Sequence, residues 1–278
     1  MATSSFYYRN MDNRRGIKPS VYTYNREGWK VSNKKIVLKI EELLQGEFVC
    51  YGYLKVTKWL NQQGFIINKK KVYRMMKESN ITLGKRIKTT GNRSFVQHRT
   101  INATRPFEYF SMDIKHLWVP GEKRQAYLLS IIDVFSRKIV NHKIQYSIKQ
   151  NDVIKLISEL LLEYPITGMR LRNDNGSQFI AHKVRDFLKM MGVYQEFTHV
   201  ATPEENAYIE SFFKLLQTEV MERFEWNSFF QLQLLINRYI EFYNSERIHS
   251  AIEYLSPNKY LMKYNQKLNP ENYKFVSN

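Results

Sequence analysis

Cysteine is almost absent from this chain of 278 residues, and long apolar stretches are missing altogether. The single cysteine, Cys50, excludes a disulfide framework within the chain and favours a reducing compartment. No apolar run approaches the roughly 20 residues of a membrane-spanning helix, and the start, Met1–Asn10, lacks the apolar stretch of a secretory signal. These absences predict a soluble, cytoplasmic protein without a membrane partner.

Acidic residues are scarce in the first third of the chain. Residues 1–105 contain 22 Lys or Arg and 6 Asp or Glu, a net charge of +16, whereas residues 106–278 are close to neutral at +1. A basic surface gains affinity for nucleic acid by releasing condensed counterions. The alternative, a solvated basic tail without a partner, is less favoured because the charges are interleaved with apolar residues at helical spacing. The hydrophobic content of 43% also favours a folded protein.

The basic third divides into three segments. Residues 1–32 are polar, with Gly and Pro near their centre, and this predicts a basic N-terminal arm that is disordered or lies along DNA. Residues 33–83 carry three helical patterns, which predict a small all-α helix-turn-helix domain. Residues 84–105 are basic without periodicity, and we interpret them as a linker that follows the phosphate backbone.

The third helical pattern is the most basic of the three. Asn68 is a suitable N-cap, and Val72, Met75 and Met76 occur at the spacing of an inward-facing stripe. A strongly basic last helix is typical of a helix-turn-helix domain that reads DNA. A plain three-helix bundle with a charged face is the alternative. The residues predicted to contact DNA are Lys69, Lys70, Lys71, Arg74 and Lys77.

From residue 107 the hydrophobic period changes to that of strands. Three strands follow one another, and helices then alternate with further strands. Strands are predicted near residues 109–118, 126–134, 138–145, 169–173 and 194–197. Helices are predicted near residues 152–163, 182–191, 203–223 and 228–243. The expected limits are 106–262 for this domain and 263–278 for a C-terminal tail.

Three carboxylates occur on separate predicted elements. Asp113 interrupts an apolar strand, Asp174 follows another strand, and Glu210 lies in a long helix, with 35 residues between the last two. Hard divalent cations need oxygen ligands, and three carboxylates from separate elements can hold two of them. The individual alternatives are an ion pair at Asp113, ordinary Asp-Asn-Gly turn chemistry at Asp174, and a surface pair between Glu210 and Lys214. Taken together, the three carboxylates predict a site for two Mg²⁺ or Mn²⁺ ions.

The helix that carries Glu210 has a defined predicted start. Thr202 is a suitable cap, Pro203 suits the first position, and Glu205 would complete a capping box. Glu210 and Lys214 lie at the edge of an apolar stripe that would pack on the sheet. That stripe is formed by Ile209, Phe212, Phe213, Leu216 and Val220.

Three local sequences together carry a family resemblance. Asn173–Gln178, Asn206–Phe213 and Tyr243–His249 resemble the corresponding segments of the integrase-type transposases of bacterial insertion sequences, specifically the product of their second reading frame. The likeness to retroviral integrases is more distant. The resemblance implies a ribonuclease-H-like fold, a mixed sheet flanked by helices, and the order of predicted elements matches it.

The resemblance also implies an activity. Asp113, Asp174 and Glu210 would be the catalytic residues and the ligands of two metal ions. The enzyme would cleave the ends of its element and join the 3′-end to target DNA by phosphodiester transfer. The implied partners are DNA, further copies of the chain, and the DNA-binding product of the upstream frame, as a fusion or an associated protein. DNA-bound protein would be nucleoid-associated.

Four further residues are candidates for a supporting function. Asn206 precedes Glu210 by one turn and would orient it or touch DNA, and packing inside the helix is the alternative. The family usually has Lys or Arg seven residues after the Glu; here the residue is Gln217, and Lys214 is the candidate replacement for DNA binding. Arg247 follows the last long helix and is also predicted to contact DNA, although cations at a helix C-terminus have a dipole explanation as well.

Other functions compete with transposition. A ribonuclease-H-like nuclease would cut without joining, but it has little need of a separate basic helix-turn-helix domain. A non-catalytic regulator derived from a transposase would bind DNA only, and the intact carboxylates argue against it. An RNA-binding protein would explain the charge but not the three carboxylates.

Overall fold

The computed structural model describes residues 19–84, 101–164, 168–199 and 203–268. The described residues divide into two compact units, the first made of residues 19–46 and 51–84 and the second of residues 47–50, 101–164, 168–199 and 203–268. Within the described ranges, every helix is too short or too polar to traverse a lipid bilayer.

Three helices of the first unit follow the sequence prediction. They are α1 (Asn33–Leu44), α2 (Tyr53–Gln62) and α3 (Lys69–Glu78). The predicted N-cap of α3 is confirmed, because Oδ1 of Asn68 accepts a hydrogen bond of 2.9 Å from the backbone N–H of Lys71. Apolar side chains at helical spacing bury one face of each helix: Ile36, Ile40, Val56, Leu60, Val72, Met75 and Met76.

The first unit is not all-α, contrary to the sequence prediction. Strands β1 (Tyr22–Asn25), β2 (Lys30–Ser32) and β3 (Phe65–Ile66) form an antiparallel sheet in the order β2-β1-β3. The predicted arm therefore contains a β-hairpin in its second half, while residues 1–18 lie outside the described ranges. The hairpin closes at Gly28, whose φ of +86° is readily adopted by glycine.

The second unit contains a five-stranded mixed sheet. Its order is β6-β5-β4-β7-β8, in which β4, β5 and β6 are antiparallel and β4, β7 and β8 run parallel. This order is that of the ribonuclease-H-like fold, as the sequence predicted. The strands are β4 (Tyr109–Val119), β5 (Arg124–Asp133), β6 (Ile139–Gln145), β7 (Arg170–Asn173) and β8 (Tyr194–Phe197).

Helices cover both faces of this sheet. They are α4 (Gln150–Glu163), α5 (Ser177–Ile180), α6 (His182–Met190), α7 (Ala207–Leu216), α8 (Phe229–Ser245) and α9 (Pro257–Leu268). Alternation along β4 directs Phe110 and Met112 to the core shared with α4 and α6, and Leu117 and Val119 to the core shared with α7 and α8. The sheet is thus covered by apolar side chains on both faces.

Two element boundaries differ from the sequence prediction. The long helix expected over residues 203–223 consists of a 3₁₀ turn (Pro203–Asn206), then α7, then a π-helical turn (Gln217–Met221). The predicted C-terminal tail begins inside α9, which extends to Leu268, while residues 269–278 lie outside the described ranges. The linker predicted over 84–105 is also largely outside, because residues 85–100 are not described.

Candidate active site

Two of the three carboxylates lie on neighbouring parallel strands. Ser111 of β4 pairs with Arg172 of β7, and Asp113 and Asp174 each follow two residues later. Asp113 is half-buried within β4, whereas Asp174 is exposed where β7 ends. Glu210 is exposed in the first turn of α7, which packs against β4. Three separate elements therefore supply the three carboxylates, as the sequence predicted.

The pKa of Asp113 depends on the charges of the other two carboxylates. Burial and, to a smaller extent, the negative charges of Asp174 and Glu210 together raise the pKa of Asp113 to about 7. The Ile114 backbone N–H, which donates a hydrogen bond of 2.7 Å to Oδ1 of Asp113, and the Lys115 charge act in the opposite direction. The three carboxylates therefore lie within electrostatic range of one another. Across the described ranges, no three His, Cys, Asp or Glu side chains are grouped closely enough to hold a metal ion.

Asp113 and Asp174 line one cleft of about 340 Å³. Sequence reasoning missed several of its lining residues, above all His116, Tyr127 and Gln178. His116 and Tyr127 are opposite each other on β4 and β5, and their rings meet edge to face with centroids 4.9 Å apart. Alternation along β4 places His116 on the same face as Phe110 and Met112, so the sequence pattern gave no signal that it lines a cleft. The remaining lining residues are Ile114, Tyr146, Ser147 and Ile148.

The turn after β7 holds the Asp174 carboxylate. Oδ1 of Asp174 accepts a hydrogen bond of 2.9 Å from the backbone N–H of Gly176, so the turn chemistry that the sequence suggested is present. A Cβ at Gly176 would lie 3.0 Å from that same oxygen and 2.5 Å from Nε2 of Gln178. Glycine suits this position because a side chain would displace the Gln178 amide and press on the carboxylate. The turn and a ligand function are therefore compatible at Asp174.

Asn206 fastens the start of α7 to β4. It is 4% exposed, its Oδ1 accepts a hydrogen bond from Oγ of Ser111, and its Nδ2 donates to the Met112 carbonyl at 3.4 Å. Asn206 immediately precedes the helix that carries Glu210, and its two partners immediately precede Asp113. The side chain thus fixes one carboxylate-bearing element against another, and it is directed into the protein.

The buried side chain of Arg172 links β7, the strand that precedes Asp174, to the start of α7. Arg172, two residues before Asp174, donates from Nη1 to the Glu205 carbonyl at 2.9 Å and from Nη2 to Oε2 of Glu196 at 2.9 Å. The Glu205 carboxylate is buried and accepts a hydrogen bond of 2.9 Å from the backbone N–H of His199. The predicted cap residue, Thr202, lies outside the described ranges. Arg172 therefore connects β7 with the turn from which α7 begins.

Arg247, which the sequence predicted to contact DNA, lies inside the protein. Arg247 is 2% exposed, and its guanidinium makes two hydrogen bonds of 2.7 Å to the buried carboxylate of Glu219. Glu219 lies in the π-helical turn, which Gln217 begins in a half-buried position. Lys214, by contrast, is exposed in the last turn of α7. Its contact with DNA stays a prediction.

Lys71, one of the basic residues of α3 that were predicted to contact DNA, makes hydrogen bonds within the first unit. Nζ of Lys71 donates hydrogen bonds to Oγ of Ser20 and to the Tyr22 carbonyl, and the side chain is half-buried. Burial, and then the neighbouring charge of Arg74, lower the pKa of Lys71. Lys69, Lys70 and Lys77 are exposed, and Arg74 lies 3.7 Å from Glu78. The exposed lysines keep α3 basic.

Known proteins resemble both units. The integrase core domain family matches residues 103–203, a second integrase core domain family matches residues 191–257, and an HTH-like domain family matches residues 25–88. A magnesium-bound catalytic core domain of HTLV-2 integrase aligns with 58% of this chain and 99% of its own, at 14% identity and a TM-score of 0.40. A structural likeness of this size supports no conclusion about ligands.

Two curated relatives cover most of the chain. The putative transposase InsK of insertion sequence element IS150 from Escherichia coli is 29% identical over 265 residues, which cover 88% of this chain and 89% of the relative. The transposase of insertion sequence element IS904 from Lactococcus lactis is 30% identical over 230 residues, which cover 77% of this chain and 88% of the relative. Sheet order, the matched domains and these relatives agree. The chain therefore belongs to the insertion-sequence transposases that carry an integrase core domain.

Proposed function

We propose that this transposase cleaves the ends of its DNA element and joins the 3′-end to target DNA, with Asp113, Asp174 and Glu210 as catalytic ligands of two Mg²⁺ or Mn²⁺ ions. The family cuts and joins DNA. One observation carries the assignment of residues: in a cleft, burial and two neighbouring carboxylates raise the pKa of Asp113 to about 7. Such a cluster of negative charge is stabilised by binding cations.

The donor set fits hard divalent cations. All three groups are carboxylates, which magnesium and manganese prefer over nitrogen or sulfur ligands. Asp113 is held by β4 and Asp174 by the turn after β7, and both Asp174 and Glu210 are exposed to solvent. When bound, the ions would lower the pKa of a water or of a DNA 3′-hydroxyl and stabilise the leaving oxygen and the charge on phosphorus.

The rest of the site positions these ligands. Asn206 holds α7 against β4, and Arg172 holds β7 against the turn before α7, so both set the distances among the carboxylates. Lys214, one helical turn after Glu210, is exposed, and we expect it to bind a DNA phosphate. Joining two ends requires more than one active site near the DNA, so we expect a homo-oligomer on DNA. Association with the upstream-frame protein stays a prediction.

The decisive experiment compares wild type with Glu210→Gln on a duplex that carries the terminal sequence of the element. We expect metal-dependent nicking and joining by wild type and no detectable product from the variant, because the amide cannot replace a carboxylate ligand. Glu241→Gln, an exposed glutamate on α8, is the matched control and should retain full activity. Cleavage and joining are read on one denaturing gel, with Mg²⁺, Mn²⁺ or chelator.

Each outcome separates the candidate functions. Joined products together with nicks indicate a transposase, whereas nicks alone indicate a ribonuclease-H-like nuclease. DNA binding without cutting by either protein, in both metals, would indicate a regulator. Equal cutting by wild type and Glu210→Gln would contradict the assignment of Glu210.

Asn206→Ala is expected to lower the joining rate about 10- to 100-fold, the usual cost of losing a residue that orients metal ligands. The half-saturating Mg²⁺ concentration should rise as well, because α7 is no longer fastened to Ser111 and Met112. Titrating Mg²⁺ at fixed DNA measures both effects. Asn151→Ala, an exposed asparagine in the first turn of α4, should change neither. A lower rate with an unchanged Mg²⁺ requirement would assign Asn206 to general stability instead.

A further inference from the structure

The three-stranded sheet of the first unit exposes an aromatic and basic row. Tyr24 of β1 pairs in register with Lys30 of β2 on one side and with Ile66 of β3 on the other, and all three side chains are exposed. Strand alternation places Tyr22 on the same face, where the Tyr22 and Tyr24 rings meet edge to face at 5.3 Å. Nζ of Lys30 lies 4.9 Å from the centre of the Tyr22 ring.

The tip of the hairpin carries a second exposed aromatic residue. Trp29 is 69% exposed although its backbone is held firmly: its N–H donates to Oδ1 of Asn25 at 2.8 Å and its carbonyl accepts from the Asn25 N–H at 3.1 Å. A rigid turn that presents a tryptophan to solvent loses little conformational entropy on binding. Exposed aromatic residues on such a turn indicate a contact surface.

Hydrogen bonds fix the hairpin beside the start of α3. Nζ of Lys71, in the first turn of α3, donates to Oγ of Ser20 and to the Tyr22 carbonyl. The Arg26 N–H donates to the Gly64 carbonyl at 2.8 Å, and its guanidinium donates to the Asn61 carbonyl at 3.1 Å. The hairpin is therefore attached both to the turn between α2 and α3 and to α3 itself. The N-terminal part of a recognition helix is the part that contacts base edges.

We propose that this hairpin surface, defined as Tyr22, Tyr24, Trp29, Lys30 and Ile66, is a second contact with duplex DNA beside α3. The inference rests on the proposed function, since it assumes that the chain acts on DNA ends. Lys30 binds phosphate, while the rings of Tyr24 and Trp29 pack against the sugars and bases of the adjacent groove, as apolar side chains do in minor-groove binders. Lys71, which sequence reasoning assigned to DNA, positions this surface.

The net charge of the first unit favours a polyanion such as DNA over a second copy of the chain as the occupant. The described part of the first unit, residues 19–46 and 51–84, carries 12 Lys or Arg and 4 Asp or Glu. A face with exposed apolar rings and a net positive surround complements a polyanion that offers apolar base and sugar edges. A second copy of the same basic unit would be repelled.

The test measures binding of the full chain to a fluorescein-labelled duplex with the terminal sequence of the element. Trp29→Ala and Tyr24→Ala should each weaken affinity by roughly 5- to 150-fold, the effect of losing one aromatic contact of about 1–3 kcal/mol, with the salt dependence unchanged. Lys30→Ala should reduce the slope of log K against log salt by about 1. Leu38→Ala, an exposed apolar residue on α1, is the control and should bind like wild type.

Variants on α3 separate this inference from the proposed function. If Lys70→Ala and Lys77→Ala weaken binding while Trp29→Ala and Tyr24→Ala stay within twofold of wild type, the hairpin surface does not contact DNA and the proposed function stands. If wild type does not bind the duplex at all, both fail. If the hairpin variants change the oligomeric mass in sedimentation and leave DNA affinity unchanged, the surface docks a protein and the inference is overturned.

Discussion

Asp113→Asn is expected to abolish cleavage and joining and at the same time to stabilise the metal-free protein. Activity is lost because the amide no longer provides the anionic ligand held by β4. Stability rises because the wild-type carboxylate is half-buried and faces the charges of Asp174 and Glu210. An asparagine keeps the shape of the side chain and removes that repulsion. The active site is thus a place where function opposes stability.

The pH dependence of wild-type stability shows in which pH range Asp113→Asn is expected to be the more stable protein. The pKa of Asp113 is about 7 in the fold, and that of an unfolded aspartate is about 3.9. Between these values the folded state binds more protons than the unfolded state, so the stability of the wild type falls as pH rises through this window. Above about pH 7 the Asp113 carboxylate is charged in the folded state, and its full destabilising effect is present. Its upper limit is about 4 kcal/mol, and partial exposure reduces it to roughly 1–3 kcal/mol.

Thermal unfolding in chelator at several pH values measures the effect. Asp113→Asn should melt about 2–10 °C above wild type at pH 8, and the difference should vanish near pH 4. Adding Mg²⁺ or Mn²⁺ should stabilise wild type and leave the variant almost unchanged, because binding to the folded state alone raises stability. Asp186→Asn, an exposed aspartate on α6, is the matched control. A variant that melts below wild type at pH 8 would contradict the assignment.

Local patterns were sufficient for most of the fold. The limits of α8 were predicted within two residues at each end, and the N-cap of α3 was predicted correctly, because a capping side chain marks each start: Ser228 and Asn68 accept from a backbone N–H in the first turn. The ribonuclease-H-like fold with its mixed sheet was implied by the family resemblance, since pairing between distant strands leaves no local signal.

What the sequence could not indicate depends on distant partners. The hairpin of residues 22–32 is completed by Phe65–Ile66, about forty positions further on, and strands of two to four residues lack a period strong enough to identify. Arg247 looked like a surface cation because its partner, Glu219, is 28 residues away in a π-helical turn. Asn206 was identified as a candidate, but only the fold distinguishes a buried link to Ser111 from a contact with DNA.

Arg247→Met is expected to be the most destabilising substitution among the predicted site residues, with a loss of about 3–5 kcal/mol in the free energy of unfolding. The methionine fills similar volume, but it leaves the Glu219 carboxylate buried without its cation. Burial alone would lower the pKa of Arg247, yet the Glu219 carboxylate outweighs this and holds that pKa above its usual range. Oε2 of Glu219 also accepts a hydrogen bond of 3.0 Å from the Tyr239 hydroxyl, which is too weak to replace the arginine.

Urea unfolding of two further variants tests whether the unpaired Glu219 carboxylate causes the loss of stability. Glu219→Leu combined with Arg247→Met should recover most of the lost stability, because removing both charges also removes the buried, unpaired carboxylate. Arg238→Met is the matched control: Arg238 forms an ion pair with Glu47 while its side chain is 60% exposed, so its loss should cost less than about 1 kcal/mol. The folded fraction of Arg247→Met should bind DNA with the salt dependence of wild type. A weaker salt dependence without loss of stability would instead restore Arg247 as a DNA contact, and that result would require its guanidinium to leave the core.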